Sequence, residues 1–495
     1  MQLSTPAFPP FPRLSRAAVL RASLYLLAVF LFCLSHWIHK YFGRPDIDQI
    51  AYHLAFGIDL VRFSDPILAR RFVDWCVLVP LVLLAMLLVA DARLRSAIGR
   101  MRTPFHQRLL AVHRTLPLLL IATSATYWVA DMGLAKHLAA QFGTDYFGAN
   151  YVPPAHQPLL KRAPKNLILI YVESLEAGYA DRRVFGRDLI APLTALGGQH
   201  FRAYEQAPGT GWTIAAIVST QCGLPLERVT LFDINTQGQM VNSFLNNATC
   251  LGDLLAQQGY RNVFLGGASP EFAGKGKFLR QHRYQEVYGR EDWLKSGVRE
   301  QDLNGWGTYD ADLFARARTR LAQLEASGKP FNLTLLTVDT HEPDGHLSRQ
   351  CAAQGYSGFD GVITCTAAEV AQFVQFAQAR GYLDNANIVI LGDHLSRKNP
   401  LSDDLSRTHR TIFNTFISKQ PVPATRDQLV HFDLLPSILE FIGFDIPGGR
   451  LGLGYSAFNR HATAPSQGRL ADMDSDLLNR SDTYLGLWQE RPAVR

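Results

Sequence analysis

The sequence predicts an α/β domain, an open parallel sheet flanked by helices, preceded by three membrane-spanning helices. Three observations carry this expectation. Long apolar stretches crowd the first 150 residues, short β-rich runs alternate with helical segments in the remainder, and acids and histidines stand directly after those runs. With 495 residues, 47% hydrophobic and 19% charged, the chain is too apolar for a disordered polymer and long enough for a membrane region plus one large domain.

The apolar stretches run from about Ala17 to Ile38, Trp75 to Ala90 and Thr115 to Ala130. A bilayer core takes about 20 apolar residues per helix, so the second and third must borrow flanking residues or let their charged neighbours snorkel. A cleaved signal peptide explains the first stretch poorly, because further apolar segments follow it. Charge sets the orientation. Arg13, Arg16 and Arg21 precede the first stretch without an acid, and Arg93, Arg95, Arg100, Arg102, Arg108 and Arg114 face only Asp91 between the second and third. The loop between the first two balances Lys40, Arg44, Arg62, Arg70 and Arg71 with Asp46, Asp48, Asp59 and Asp65. Both basic segments are expected on the cytoplasmic side, which puts everything after about residue 131 across the membrane. The formal charge is +7 over residues 1–150 (15 basic, 8 acidic) and −1 over the rest (34 and 35), so the large domain lacks the cationic surface of a nucleic-acid binder.

Four of the six cysteines, Cys222, Cys250, Cys351 and Cys365, fall in the large domain. In an oxidising compartment they form two disulfides, and Cys222 with Cys250 and Cys351 with Cys365 are the expected pairs because each closes a short loop. Zinc binding is the competing reading, without a CxxC pair to support it. The chain divides into a membrane domain (residues 1–150), a Pro-containing linker (151–165), the large domain (166–460) and a polar tail (461–495) with no motif.

Strands are expected at Asn166 to Val172, Arg261 to Gly266, Asn332 to Val338 and Asn387 to Leu391, and helices between them at Ala311 to Ala326 and Ala367 to Ala379. None of the four runs alternates strictly, as expected for strands covered on both faces. Ligands of open α/β sheets bind beyond the carboxyl ends of the strands, where this chain carries Glu173, then Asp339-Thr340-His341, then Asp393-His394. Alone, each of these residues fits a cap or a solvated position. Together they supply the oxygen and nitrogen ligands of a divalent metal such as manganese, magnesium or zinc. The segment Pro208-Gly-Thr-Gly-Trp-Thr-Ile-Ala-Ala-Ile-Val-Ser adds a Gly-flanked turn and a helix start bearing Thr210 or Thr213. Such a Thr is commonly only a cap, but a helix start also attracts phosphate, and a hydroxyl on a metal becomes a nucleophile.

The strings LILIYVESLE, GTGWTIAAIVSTQCGLPL, CLGDLLAQQGY, FAGKGKFL, TLLTVDTHEPDGHLSRQC and GDHL resemble the phosphoglycerol transferases that decorate osmoregulated periplasmic glucans, within the alkaline phosphatase and sulfatase superfamily. The resemblance covers about residues 165 to 460, and more distantly the chain is similar to lipoteichoic acid synthases. It implies the superfamily's fold and a bacterial inner-membrane protein with its catalytic domain in the periplasm. It also implies metal-dependent transfer of phosphoglycerol from phosphatidylglycerol to a glucan hydroxyl through a threonine-bound intermediate, with release of diacylglycerol. Glu173, Asp393 and His394 match the metal ligands, with manganese expected first, and His341 matches a histidine beside the glycerophosphate. Register to Gly223-Leu224-Pro225 puts the metal-held nucleophile on Thr210, the preferred position, whereas sulfatase and phosphoethanolamine-transferase spacing puts it on Thr213. The synthases place a His, a Trp and an Arg after the second strand. This chain has Leu265-Gly-Gly-Ala-Ser-Pro-Glu-Phe-Ala-Gly-Lys there, so Phe272 and Lys275 are expected to provide the aromatic wall and the cation, with His409 as a further binding residue. A phosphoethanolamine transferase, another phosphodiesterase and an inactive lipid sensor are the alternatives. The sulfatase version lacks its CxPSR-like string.

Overall fold

A computed structural model of the chain describes residues 15–43, 45, 47, 49–50, 62–101, 105–226, 244–462 and 469–489. Arg13, Arg44, Asp46, Asp48, Asp59 and Arg102, used above for orientation, lie outside the described residues. Contacts divide the chain into one unit of Met1–Lys40 with Ile67–Ala135 and a second of Tyr41–Pro66 with Lys136–Arg495.

The first unit is built from α1 (Arg16–Phe42), α2 (Pro66–Gly99) and α3 (His106–Asp131), with 27, 34 and 26 residues. All three are long and apolar enough to cross a membrane. The two stretches that looked short are thus cores of longer helices. In α2 a π-helical turn at Asp74–Leu78 immediately precedes Pro80, a place where the ladder loses a donor. Asp91 ties the three helices together: it accepts from Arg21 Nε at 2.9 Å and Tyr25 Oη at 2.6 Å, and lies 3.0 Å from His113 Nε2.

The second unit centres on a six-stranded sheet of β1 (Asn166–Val172), β2 (Arg261–Gly266), β3 (Glu286–Tyr288), β4 (Phe331–Leu336), β5 (Ala386–Gly392) and β6 (Asn414–Ile417), in the order β3-β2-β4-β1-β5-β6. The first five are parallel; β6 pairs antiparallel with β5 (Leu391 opposite Asn414), so the sheet is mixed rather than wholly parallel as expected. The two strands the sequence did not reveal are edge strands of three and four residues, too short for a periodic signal. Central β1 explains the missing alternation. Leu167, Leu169 and Tyr171 enter the core on one face, with α4 (Thr213–Cys222), and Ile168, Ile170 and Val172 enter the core on the other, with α5 (Asp310–Ala326) and α6 (Gly358–Ala379).

Two segments set apart on composition belong to this unit. The 151–165 stretch is anchored by the bridge of Val152 to Gly452 and by Leu160–Lys161 pairing with Phe444–Asp445. The tail, to which no role was given, sends Tyr484, Leu487 and Trp488 into the core, with Tyr484 Oη donating to the Pro225 carbonyl at 3.0 Å. The disulfides join Cys222 with Cys250 and Cys351 with Cys365, as the loop lengths suggested.

Candidate functional site

The carboxyl ends of β1 and β5 lie side by side, and the residues immediately past them meet. Glu173 follows β1, and Asp393-His394 follow β5; all three are buried, and one donor atom from each lies within 4.8 Å of the others. Ser174 makes the turn at φ 53°, a strained conformation for a residue with a Cβ. That turn sends its N–H to Asp393 Oδ1 at 2.8 Å and places its hydroxyl 2.9 Å from both Glu173 Oε1 and Glu342 Oε2.

The polar bookkeeping at this point calls for a cation. Asp393 Oδ1 accepts from two backbone N–H groups, but Asp393 Oδ2 is buried with no hydrogen-bond partner among the described residues. The Nδ1 of His394 donates to the Leu395 carbonyl at 3.0 Å, and Nε2 turns toward the carboxylates, 3.4 Å from Glu173 Oε1 and 3.5 Å from Asp393 Oδ2. Burial and then the Glu173 charge push the Asp393 carboxyl up to about 7. Burial opposes protonation of His394, but Asp393 and Glu173 outweigh it and raise the imidazole to about 9. Glu173 is held below the usual carboxylate range, since His341 and His394 overcome the cost of its burial. Two carboxylates with one orphaned oxygen, and an imidazole nitrogen whose proton a cation would displace, fit a divalent metal.

Of the two threonines, this geometry favours Thr213 and reverses the order expected from register. Thr213 opens the ten-residue α4, is partly exposed, and donates from Oγ1 to Glu173 Oε2 at 3.3 Å. The Thr210 hydroxyl instead donates to the Ala207 carbonyl at 2.6 Å and is fully buried, a turn-closing role. Gly209, at φ 71°, supplies the bend that leads into this turn.

His341 donates from Nδ1 to the Glu342 carbonyl at 2.7 Å, and its Nε2 makes no hydrogen bond among the described residues. Its ring packs 4.4 Å from Trp306, which meets Phe272 edge-on at 5.0 Å, so the expected wall residue reaches the site through a tryptophan that the sequence did not single out. Lys275 is 4% exposed and makes no hydrogen bond or ion pair with the described residues; burial pulls its ammonium down to about 8 against the attraction of Glu173 and Asp393. His409 is exposed and makes no hydrogen bond, ion pair or ring contact with these residues. The zinc alternative for the cysteines fails chemically: Cys250 lies near Asp253 and His282, but its sulfur is in a disulfide. Ser174, Trp306, Glu342 and Arg397 are further residues of the site. Three of them adjoin or closely follow a predicted residue, whereas Trp306 has no local signal.

The chain is similar to several known proteins. Phosphoglycerol transferase I of Xanthomonas euvesicatoria pv. vesicatoria (strain 85-10) is 38% identical over 331 residues, 64% of this chain and 46% of that protein. Phosphoglycerol transferase I of Escherichia coli O6:K15:H31 (strain 536 / UPEC) is 37% identical over 308 residues, 59% of this chain and 39% of that protein. The chain therefore spans less than half the length of these curated relatives. The lipoteichoic acid synthase LtaP of Listeria monocytogenes superposes with a TM-score of 0.48 at 16% identity, covering 72% of this chain and 98% of that one. The Sulfatase family profile matches residues 165–444, more than half of the sequence and all of the six-stranded sheet and its site, and the chain accordingly belongs to the sulfatase family.

Proposed function

We propose that this protein is a metal-dependent phosphotransferase that moves phosphoglycerol from phosphatidylglycerol to a sugar hydroxyl of a periplasmic glucan, with Thr213 as nucleophile. The single observation that carries this is the Thr213 hydroxyl, presented at a helix start and held by a carboxylate of the three-ligand cluster. Glu173, Asp393 and His394 would hold the metal, manganese for preference, which when bound lowers the pKa of the threonine hydroxyl and draws charge from the phosphoryl oxygens.

Everything else falls to the chain's own side chains. Glu173 orients the Thr213 hydroxyl. Thr213 Oγ bonds to phosphorus as the bond to the diacylglycerol oxygen breaks, and the proton lost by Thr213 balances the one the leaving oxygen gains. His341 has its Nε2 free to carry that proton, and in the second step to take one from the incoming sugar hydroxyl as the bond from phosphorus to Thr213 breaks. Lys275, a buried cation without an ion pair among the described residues, neutralises the phosphodiester. Phe272 and Trp306 line the approach. A lipid donor suits a chain with three helices fit to span a bilayer, and the basic segments around them support a periplasmic catalytic unit.

The test uses detergent-solubilised full chain, manganese and phosphatidylglycerol labelled in the headgroup, with and without glucan. Wild type and Thr210→Val should release diacylglycerol and label the glucan, and Thr213→Val should do neither. No diacylglycerol from phosphatidylglycerol or phosphatidylethanolamine with any divalent metal would overturn the proposal.

A further inference from the structure

We infer that Arg397 binds the phosphoryl group under transfer, as a second cation beside the nucleophile; this rests on the phosphotransferase reading and adds a residue to it. Arg397 lies three positions past His394, and its side chain is 15% exposed. Its Nη2 donates to the Gly211 carbonyl at 3.2 Å, in the turn that delivers Thr213. Its Nε lies 3.7 Å from Glu342 Oε1, beside His341. The guanidinium therefore stands between the turn that carries the nucleophile and the loop that carries the proton-handling histidine.

Its protein partners use little of what it offers. A guanidinium has five N–H donors in a planar fork. Among the described residues one makes a hydrogen bond, and the separation from Glu342 is too long for a second. The Glu342 carboxylate is moreover shared, because its Oε2 lies 2.9 Å from the Ser174 hydroxyl. Even the more exposed Arg410 fills its donors, with both oxygens of Glu176 and the Ser396 carbonyl. The free edge of Arg397 matches two phosphoryl oxygens, a fit that a lysine ammonium does not reproduce.

The experiment compares full-length, manganese-loaded wild type, Arg397→Gln, Arg397→Lys and Arg397→Ala. Diacylglycerol release from phosphatidylglycerol and calorimetric binding of glycerol phosphate are measured, along with manganese affinity and thermal melting. We expect Arg397→Gln to lower kcat/KM about 100-fold or more and to weaken glycerol phosphate binding at least about tenfold, with manganese affinity and melting unchanged. Arg397→Lys should recover only part of the loss, and millimolar guanidinium, but not sodium, should partly restore Arg397→Ala. Glycerol phosphate binding that survives Arg397→Gln, or a loss of activity that guanidinium does not rescue and that tracks a fall in melting temperature, would make Arg397 a structural pin and overturn the inference. If wild type releases no diacylglycerol, the phosphotransferase reading fails, and the glycerol phosphate comparison still decides whether Arg397 holds a phosphoryl group.

Discussion

Replacing Lys275 by methionine should make the large unit more stable while it abolishes transfer. The ammonium is buried, without hydrogen bond or ion pair among the described residues, and burial lowers it from 10.5 to about 8. At 1.36 kcal/mol per pH unit, that fall corresponds to about 3 kcal/mol spent keeping the charge in place, and methionine fills nearly the same volume without it. We expect a gain of about 2–3 kcal/mol at pH 7 without metal, and at about 2 °C per kcal/mol for a unit of this size a melting temperature about 5 °C higher. The pH dependence has a definite sign. Below about pH 8 the lysine is charged in both folded and unfolded chains and its full cost stands. Between about 8 and 10.5 the folded chain sheds the proton first, so wild type should close the gap as pH rises through that window. Differential scanning fluorimetry of both proteins from pH 6 to 11, alongside diacylglycerol release, measures all of this. A Lys275→Met protein that melts at or below wild type at pH 7, or a gap that does not narrow above pH 8, refutes the reasoning, because the ammonium would then be stabilised by contacts rather than stored for an anion.

Further outcomes test other features of the site. Manganese at 100 times its dissociation constant should stabilise wild type by about 2.7 kcal/mol, visible as a melting shift of about 5 °C, and Asp393→Asn, which converts the orphaned oxygen's carboxylate to an amide, should abolish the shift. Trp306→Phe should lower the transfer rate up to about tenfold, since the ring that packs on His341 is worth about 0.5–1.5 kcal/mol, with little change in manganese affinity. Removing the Cys351–Cys365 link, which spans 14 positions, by a double Ser substitution should cost about 3 kcal/mol by denaturant titration of the large unit, with turnover by the folded fraction retained.

Elements whose physics is local were legible from the residues alone. Each membrane helix declares itself by a run of apolar residues, because a bilayer core demands that composition at every position. β1, β2, β4 and β5 were readable for a related reason: burial on both faces makes each run predominantly apolar, and the acids and histidines of Glu173, His341, Asp393 and His394 stand where such strands end. Edge strands β3 and β6 are short, so nothing local marks them, and the antiparallel return of β6 follows from pairing rather than from composition. The choice between Thr210 and Thr213 also needed the folded chain, since three residues around a helix start turn one hydroxyl to a carbonyl of its own turn and the other to Glu173, forty positions away. Trp306 and Arg397 show the same limit, and the burial of the expected cation Lys275 without a partner among the described residues is likewise a fact of the folded chain. What makes each of them belong to the site is the absence of a partner or the presence of a distant one, and both depend on how far folding brings separate loops together.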